Sequence, residues 1–327
     1  MIEQVLYKRA VLTGIGMYLP EQLVTNADMA RRIDTSDEWI TERTGIRQRY
    51  FAAPHETASY MGAEAGRKAL EQAGLPASEL GAIIVATSTP DQAFPSTAVH
   101  IQAMLGAAKA YGFDLAAACS GFIYGLSVAD AMLRAGQVES VLVIGSEVYS
   151  RILNFNDRGT CVLFGDGAGA VLLQRRDVEK SGPGLLSTHL HADGRLADIL
   201  YVDGAVGQPD KPGHLIMQGR EVFRHAVSLL AGAVNEALAE NNLAASDIDL
   251  LVPHQANRRI IDGVGKKLGL PPERVVITVD QHANTSAASI PLALACAMAD
   301  GRAKPGQLIL LEALGGGLTW GSALLRI

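Results

Sequence analysis

This chain repeats itself. A strand–helix–strand run that includes Ile83 to Gly136 returns between Ile248 and Gly301, shifted by 165 residues (248 − 83 and 301 − 136). GAIIVATSTP falls on SDIDLLVPHQ, and SGFIYGLSVADAMLRAG falls on TSAASIPLALACAMADG. The strand VESVLVIGSE is answered, two residues late, by PGQLILLEAL. A duplicated unit of this kind predicts a pseudo-twofold pair of α/β layers. Strand-end residues of both halves should then converge on one crevice, as ligands do in open α/β sheets. The shift sets Cys119 opposite Asn284 (284 − 119 = 165) and Thr89 opposite His254. RRDVEKSGPG, Arg175 to Gly184, is charged and turn-rich and marks the internal boundary. The expected halves are therefore residues 1–180 and 181–327.

Cys119 is the first candidate for chemistry. The apolar run before it ends in Ala116-Ala117-Ala118, and Ser120-Gly121 follow. Phe122, Leu126, Ala129 and Leu133 then mark a helix that Gly136 closes, and Val141–Ile144 a strand. The sulfur thus stands at a strand-to-helix junction, where unpaired N–H groups and the helix dipole favour a thiolate. Its small neighbours leave room for a bulky substrate. The competing reading is a buried cysteine that fills a core gap.

Net charge is −6, so nucleic acid is not a favoured partner. The three cysteines (Cys119, Cys161, Cys296) are odd in number and lack metal-ligand spacing, which argues for a reducing compartment without a disulfide framework. No stretch approaches the roughly 20 apolar residues of a membrane span. The N-terminus lacks a charged region followed by a long apolar core. A cytoplasmic protein with no membrane partner is expected.

The remaining motifs carry paired readings. Ala10–Ile15 runs into Gly14-x-Gly16, which is no dinucleotide fingerprint, because the third glycine is missing and Pro20 blocks the helix. DTSDEWITERTGIRQRY opens with a capping box, Thr35 placed to cap and Glu38 three residues on. Its Trp39 beside Arg43 suits either a solvated helix face or a stacking site for a planar anion such as a nucleotide. Thr57–Ala73 and Thr97–Leu105 read as helices, Gly81–Ala86 as a buried strand and Ala205–Gly213 as a loop. A helix follows from about Gly219 to Asn241. FGDGAGA precedes a strand, which favours tight backbone packing over phosphate binding. His189 and His191 share a strand face but lack further ligands, so no metal site is expected.

AAACSGF around Cys119, PHQAN around His254 and HANTSAAS around Asn284 resemble the Cys–His–Asn triad of the β-ketoacyl-acyl-carrier-protein synthase III family. DTSDEWITERTGIR, DRGT, FGDGAGA, STHLHADG and GGGLTWGSALLRI extend the likeness from end to end. Ala283 stands where the family often has Gly, and Leu314 where Phe is common.

The resemblance implies a thiolase-like fold, two duplicated α/β halves in an αβαβα five-layer arrangement. It implies a cytoplasmic homodimer that needs no cofactor beyond the CoA thioester substrate. Cys119 takes an acyl group from acyl-CoA, acetyl-CoA being the expected donor. The amides of Cys119 and Gly316 form the oxyanion hole. His254 and Asn284 then hold the enolate formed when a malonyl-acyl-carrier protein loses CO₂. By the same likeness Trp39 and Arg158 sandwich adenine, and Thr35, Arg43, Gly219, Phe223 and Asn257 line the CoA channel. Phe94 reaches across the dimer to cap the partner's acyl pocket, which Leu314 helps to shape. Arg224, Arg258, Arg259, Lys266 and Lys267 form a basic patch for the acidic carrier protein, or a merely solvated helix face.

Three rivals stand beside this reading, one of them a catalytically silent dimeric binding module, which the full triad disfavours. The Cys…His spacing of 135 (254 − 119) also fits a papain-like hydrolase, but the C-G-S-C-W signature is absent. A same-fold ketosynthase or acyltransferase of specialised metabolism would differ in its starter or acceptor.

Overall fold

The computed structural model describes residues 6–204 and 207–327. Met1–Val5, and Ala205 and Val206 of the expected 205–213 loop, lie outside the described residues.

In chain order the elements are β1 (Tyr7–Tyr18), β2 (Gln22–Thr25), α1 (Asn26–Ala30), α2 (Asp37–Thr44), β3 (Gln48–Phe51), α3 (Ala58–Ala73), β4 (Ala82–Ala86) and α4 (Thr97–Leu105). Next come β5 (Tyr111–Leu115), α5 (Gly121–Arg134), β6 (Ser140–Val148), α6 (Arg158–Cys161), β7 (Asp166–Val178), β8 (Gly184–Ala192), β9 (Leu200–Val202) and β10 (Leu215–Met217). The rest are α7 (Gly219–Glu240), β11 (Leu250–Pro253), α8 (Arg258–Lys267), α9 (Val279–His282), α10 (Ser289–Ala299), β12 (Leu308–Gly315) and β13 (Thr319–Arg326).

Two sheets carry the repeat. The first has the order β1-β7-β6-β4-β5 and the second β11-β12-β13-β8. Read from the other edge, the second runs β8-β13-β12-β11, strand for strand the order of the first with its last member reduced. A remnant of that member survives: Val275 bridges Leu251 in parallel, and the Val276 amide donates to Leu251 O. Every strand of the first sheet ends by Val178 and every strand of the second begins at or after Gly184.

Helices fill three layers. α3 and α4 cover the outer face of the first sheet, and α7 with α8 the outer face of the second. α5 and α10 lie between the sheets and touch both. This is the αβαβα thiolase-like fold. β4 and β6 are buried along their whole length because helices cover both faces, so apolar side chains fill both.

The two copies do not share one offset throughout. Ile84 of β4 faces the central helices, and a shift of 165 would set it on Asp249 (84 + 165). In β11 it is Leu250 and Val252 that face the centre, so the strands follow an even offset. The helices and the turns before them keep 165. A one-residue slip inverts every side chain of a strand, whereas a loop absorbs it.

Small residues let the layers close. A Cβ on Gly145 of β6 would stand 2.3 Å from Ala287 O, and one on Gly169 would meet Pro291 Cβ at 2.7 Å. FGDGAGA therefore starts β7 and receives the α10 end of the second half as bare backbone, as the packing reading expects.

The cap of α2 lies one residue later than expected, and the expected capping box does not form. Ser36, not Thr35, caps α2, with Oγ accepting from the Trp39 amide at 3.1 Å. Ser36 is the extended residue, so the third helical position is Trp39 and Glu38 falls at the second. Among the described residues no helix is long and apolar enough to cross a membrane.

Candidate active site

Cys119 occupies the turn between β5 and α5 and is 4% exposed. Ala118 before it is held at φ 44°, a left-handed conformation that aims the next side chain out of the regular path. The Gly315–Gly317 loop presses against this turn. A Cβ on Gly315 would stand 2.6 Å from the Cys119 amide nitrogen. Ser120 Oγ donates to Ala117 O at 2.7 Å and lies 2.7 Å from Thr319 Oγ1. The nucleophile turn and the glycine loop are thus one rigid unit.

The resting sulfur is a thiol. Burial pushes Cys119 up to about 12, against a lowering contact from the Ser286 hydroxyl and with a further rise from the charge of Glu147. Burial works against the thiolate expected from the helix N-terminus, because desolvation penalises a buried charge. Cys161 is also fully buried and pushed up to about 11.

His254 follows β11, and its amide donates to Glu312 O at 2.8 Å. Nδ1 lies 2.6 Å from Ser289 Oγ at the start of α10. The Gln255 amide donates into the same Ser289 oxygen at 3.4 Å, which directs the hydroxyl proton towards Nδ1. That arrangement assigns the ring proton to Nε2. Burial holds the imidazole down to about 3, so it is neutral.

Asn284 is tied to the first half. Its amide donates to Leu163 O, and its carbonyl accepts from the Gly165 amide. Its Oδ1 accepts from the Ser286 amide at 2.8 Å, which leaves the side-chain NH₂ as the free donor. Cys119, His254 and Asn284 all line one cavity of about 1010 Å³, together with Gly316, Gly317 and Leu314.

At its mouth the cavity is lined by Trp39, Arg43, Gly219, Phe223, Asn257 and Arg259. The Arg43 guanidinium lies 4.5 Å and that of Arg158 5.0 Å from the Trp39 ring centre. Arg158 is also bonded to Asp34 O at 2.9 Å. A purine does not fit a gap of that width, so Arg158 must swing out to admit one. Thr35 and Phe94 stand outside the cavity wall, and Thr35 Oγ1 is buried without a partner. Asn257 caps α8 through Oδ1.

The chain matches known proteins over nearly all its length. Residues 113–194 match the family described as 3-oxoacyl-[acyl-carrier-protein (ACP)] synthase III, and residues 238–327 match its C-terminal region. The β-ketoacyl-[acyl-carrier-protein] synthase III of Acidiphilium cryptum is 69% identical over 98% of this chain and 99% of its own. That of Granulibacter bethesdensis is 60% identical over 98% of this chain and 100% of its own. The chain belongs to the β-ketoacyl-acyl-carrier-protein synthase III family. The solved synthase III of Aquifex aeolicus superposes with a TM-score of 0.92 at 46% identity, covering 97% of this chain and 100% of that one. The priming β-ketosynthase of the R1128 polyketide pathway gives 0.92 at 37% identity, covering 100% and 98%. The papain-like reading has no support in this fold or family.

Within this synthase III framework the basic patch divides. Arg224 pairs with Glu221, Arg258 pairs with Asp262, and Lys267 donates to Ser228. Arg259 stacks on Phe223 at 5.4 Å. Among the described residues no carboxylate pairs with Arg259 or Lys266. His189 and His191 both reach Glu236, so their shared face is occupied by a helix carboxylate.

Residue patterns missed Ser289, which orients His254, and the pair Glu147 and Ser286 beside the thiol. Ser286 and Ser289 lie in HANTSAAS and Glu147 ends VESVLVIGSE. Nothing in those patterns marks them as site residues.

Proposed function

We propose that this enzyme moves a short acyl group from CoA onto Cys119 and condenses it with a malonyl-acyl-carrier protein. The products are a β-ketoacyl-carrier protein, CoA and CO₂, and the reaction starts fatty acid synthesis. The observation that carries this reading is the single cavity in which a buried thiol meets two neutral donors, His254 Nε2–H and the Asn284 amide. Attack of sulfur on the thioester develops an oxyanion, for which the amides of Cys119 and Gly316 are the donors. Loss of CO₂ then leaves an enolate, whose charge His254 and Asn284 stabilise. Each donor lowers that barrier by about 3 kcal/mol. A neutral imidazole suits this role, since a protonated one would quench the nascent carbanion. The half 1–180 supplies the nucleophile, and 181–327 the enolate donors.

Trp39, Arg43, Arg158, Gly219, Phe223 and Asn257 bind CoA, with adenine displacing Arg158 from Trp39. Thr35 belongs to this reading only as support beneath α2. Arg259, with Lys266, leads the docking of the carrier protein, and Arg224, Arg258 and Lys267 follow. The protein works as a cytoplasmic homodimer. β5 is an open sheet edge, and Phe94 (85% exposed), Tyr111 (49%) and Met104 (45%) expose apolar surface near it. Phe94 then caps the partner's acyl pocket and selects a short starter, while Leu314 leaves room for a branch.

Mass spectrometry of the intact protein after exposure to acetyl-, butyryl- and octanoyl-CoA tests the reading. An acetyl adduct on Cys119 is expected, with octanoyl admitted by Phe94→Ala. Acyl on Cys161 or Cys296 instead would overturn it. Preference of the wild type for octanoyl-CoA would move the enzyme towards specialised metabolism. Charge reversal at Lys266, which does not line the cavity, should weaken use of malonyl-carrier protein about tenfold at low salt and leave malonyl-CoA turnover nearly unchanged.

A further inference from the structure

Behind Cys119 lies a buried polar cluster to which the reaction above gives no task. Glu147, near the end of β6, is fully buried. Its Oε2 accepts from Thr89 Oγ1 at 2.6 Å, from the Ser88 amide at 3.0 Å and from Thr87 Oγ1 at 3.3 Å. Its other oxygen, Oε1, is buried and makes no hydrogen bond, and the same holds for Ser286 Oγ. Ser286 sits at φ 51°, a costly backbone for serine. The turn Ser286–Ala288 packs against β6, which carries Glu147, and against the Ala118–Ser120 turn, which carries Cys119, and the Ser286 hydroxyl favours the ionised form of each.

Two orphaned buried oxygens on adjoining elements are expensive unless a shared proton can join them. A proton on Glu147 Oε1 would satisfy Ser286 Oγ, and the Ser286 proton would then satisfy a thiolate at Cys119. The neutral His254 is a poor base for the thiol, since burial holds it down to about 3. Burial raises Glu147 to about 7, where it can take or give a proton near neutral pH. The titratable groups facing Glu147 are Cys119 and Tyr149, and burial keeps Tyr149 protonated.

We propose that Ser286 and Glu147 form a proton path for the nucleophile, with Glu147 holding the Cys119 proton while the sulfur is acylated. As the thioester binds, the S–H bond breaks and its proton passes to Ser286 Oγ, while the Ser286 proton passes to Glu147 Oε1. The sulfur pair forms the S–C bond, and the carbonyl pair moves onto oxygen. Return of that pair expels CoA thiolate, which takes a proton from water at the cavity mouth. The proton on Glu147 goes back to sulfur when condensation releases it. The cycle then consumes one solvent proton, as decarboxylative condensation requires. Glu147 touches no substrate and is a positioning residue that acts through Ser286.

The inference rests on Cys119 as the acylated residue, so its test reads the thiol without condensation. Iodoacetamide alkylation of Cys119 is followed from about pH 5 to 10 in the full chain, wild type against Glu147→Gln and Ser286→Ala. The wild-type rate should rise with an inflection at about pH 7. Both variants should lose it and react about tenfold slower near neutral pH. Glu147→Asp should restore part of the inflection. Should Glu147→Gln not fold, Ser286→Ala decides, since it keeps every bond to Oε2. Wild-type profiles in both variants would overturn the path. So would faster alkylation of Glu147→Gln, the result expected if the carboxylate merely repels a thiolate. Acetyl-CoA labelling away from Cys119 would instead overturn the function reading.

Discussion

The turns that open α5 and α10 are the same piece of backbone used for two chemistries. In the first half Ala118, at φ 44°, precedes Cys119. In the second Ala283, at φ 57°, precedes Asn284. Both turns lie 165 residues apart, both feed a helix of the central layer, and both residues reach one cavity. The difference is one side chain at the tip. A sulfur there attacks, and an amide whose oxygen is held by the Ser286 N–H can only donate. Duplication supplied two equivalent positions, and substitution at each divided attack from enolate stabilisation.

That division is broken most severely at the nucleophile. Cys119→Ala should lower condensation on the order of 10⁴-fold or more and leave no acyl adduct by mass spectrometry. Asn284→Ala should cost about 10²-fold or more in condensation and in CO₂ release, while acetyl transfer to Cys119 persists. The labour would be shared rather than divided if Asn284→Ala blocked acylation as strongly as decarboxylation.

The two sheets also bury a glutamate each, with opposite provision. Glu147 receives three hydrogen bonds at Oε2. Glu312 on β12 is 1% exposed, and its Oε2 has no partner. Burial alone pushes Glu312 up to about 8. The sign follows from linkage. The folded state keeps the Glu312 proton while the unfolded chain releases it above the ordinary value of 4.5. Stability from this group is therefore intact below 4.5 and falls as pH rises to about 8. Glu312→Gln should match wild type in melting temperature near pH 4.5 and exceed it by a margin that grows up to about pH 8. An equal difference at both ends would show that Glu312 is ionised in the fold and paired.

Much of this was legible in the residues, and the failures share a cause. α4 begins and ends where Thr97 and Leu105 place it, and Thr57 and Gly74 fix the caps of α3. Local chemistry decides such boundaries. The repeat announced both halves, yet its strands slipped to an even offset, because strand register is set by which layer a face meets. The Thr35 box failed by one residue because Ser36 competes for the same cap. The burial that opposes the thiolate was not legible, because local sequence shows a helix start but not the depth of burial. Glu147 and Ser286 are 139 residues apart (286 − 147), and no local pattern brings them to Cys119.

The smallest effect separates the two tight turns from each other. Ala283 lies at φ 57°, ψ −160°, a region that belongs essentially to glycine. Strain of this kind costs about 1–3 kcal/mol. Ala283→Gly removes it, but glycine adds about 0.4–1 kcal/mol of freedom to the unfolded chain. The methyl group is also fully buried in the apolar core, and its loss costs about 0.8 kcal/mol. The net gain should be about 0.5 kcal/mol and at most about 2 kcal/mol, read as a shift in the urea midpoint at unchanged slope. Turnover should stay the same, since Asn284 is held by Leu163, Gly165 and Ser286 rather than by its neighbour's side chain. Ala118→Gly, at φ 44°, relieves the corresponding strain in the first turn and should act in the same direction. A fall in turnover for Ala283→Gly without loss of stability would show that the strained alanine itself aims the amide.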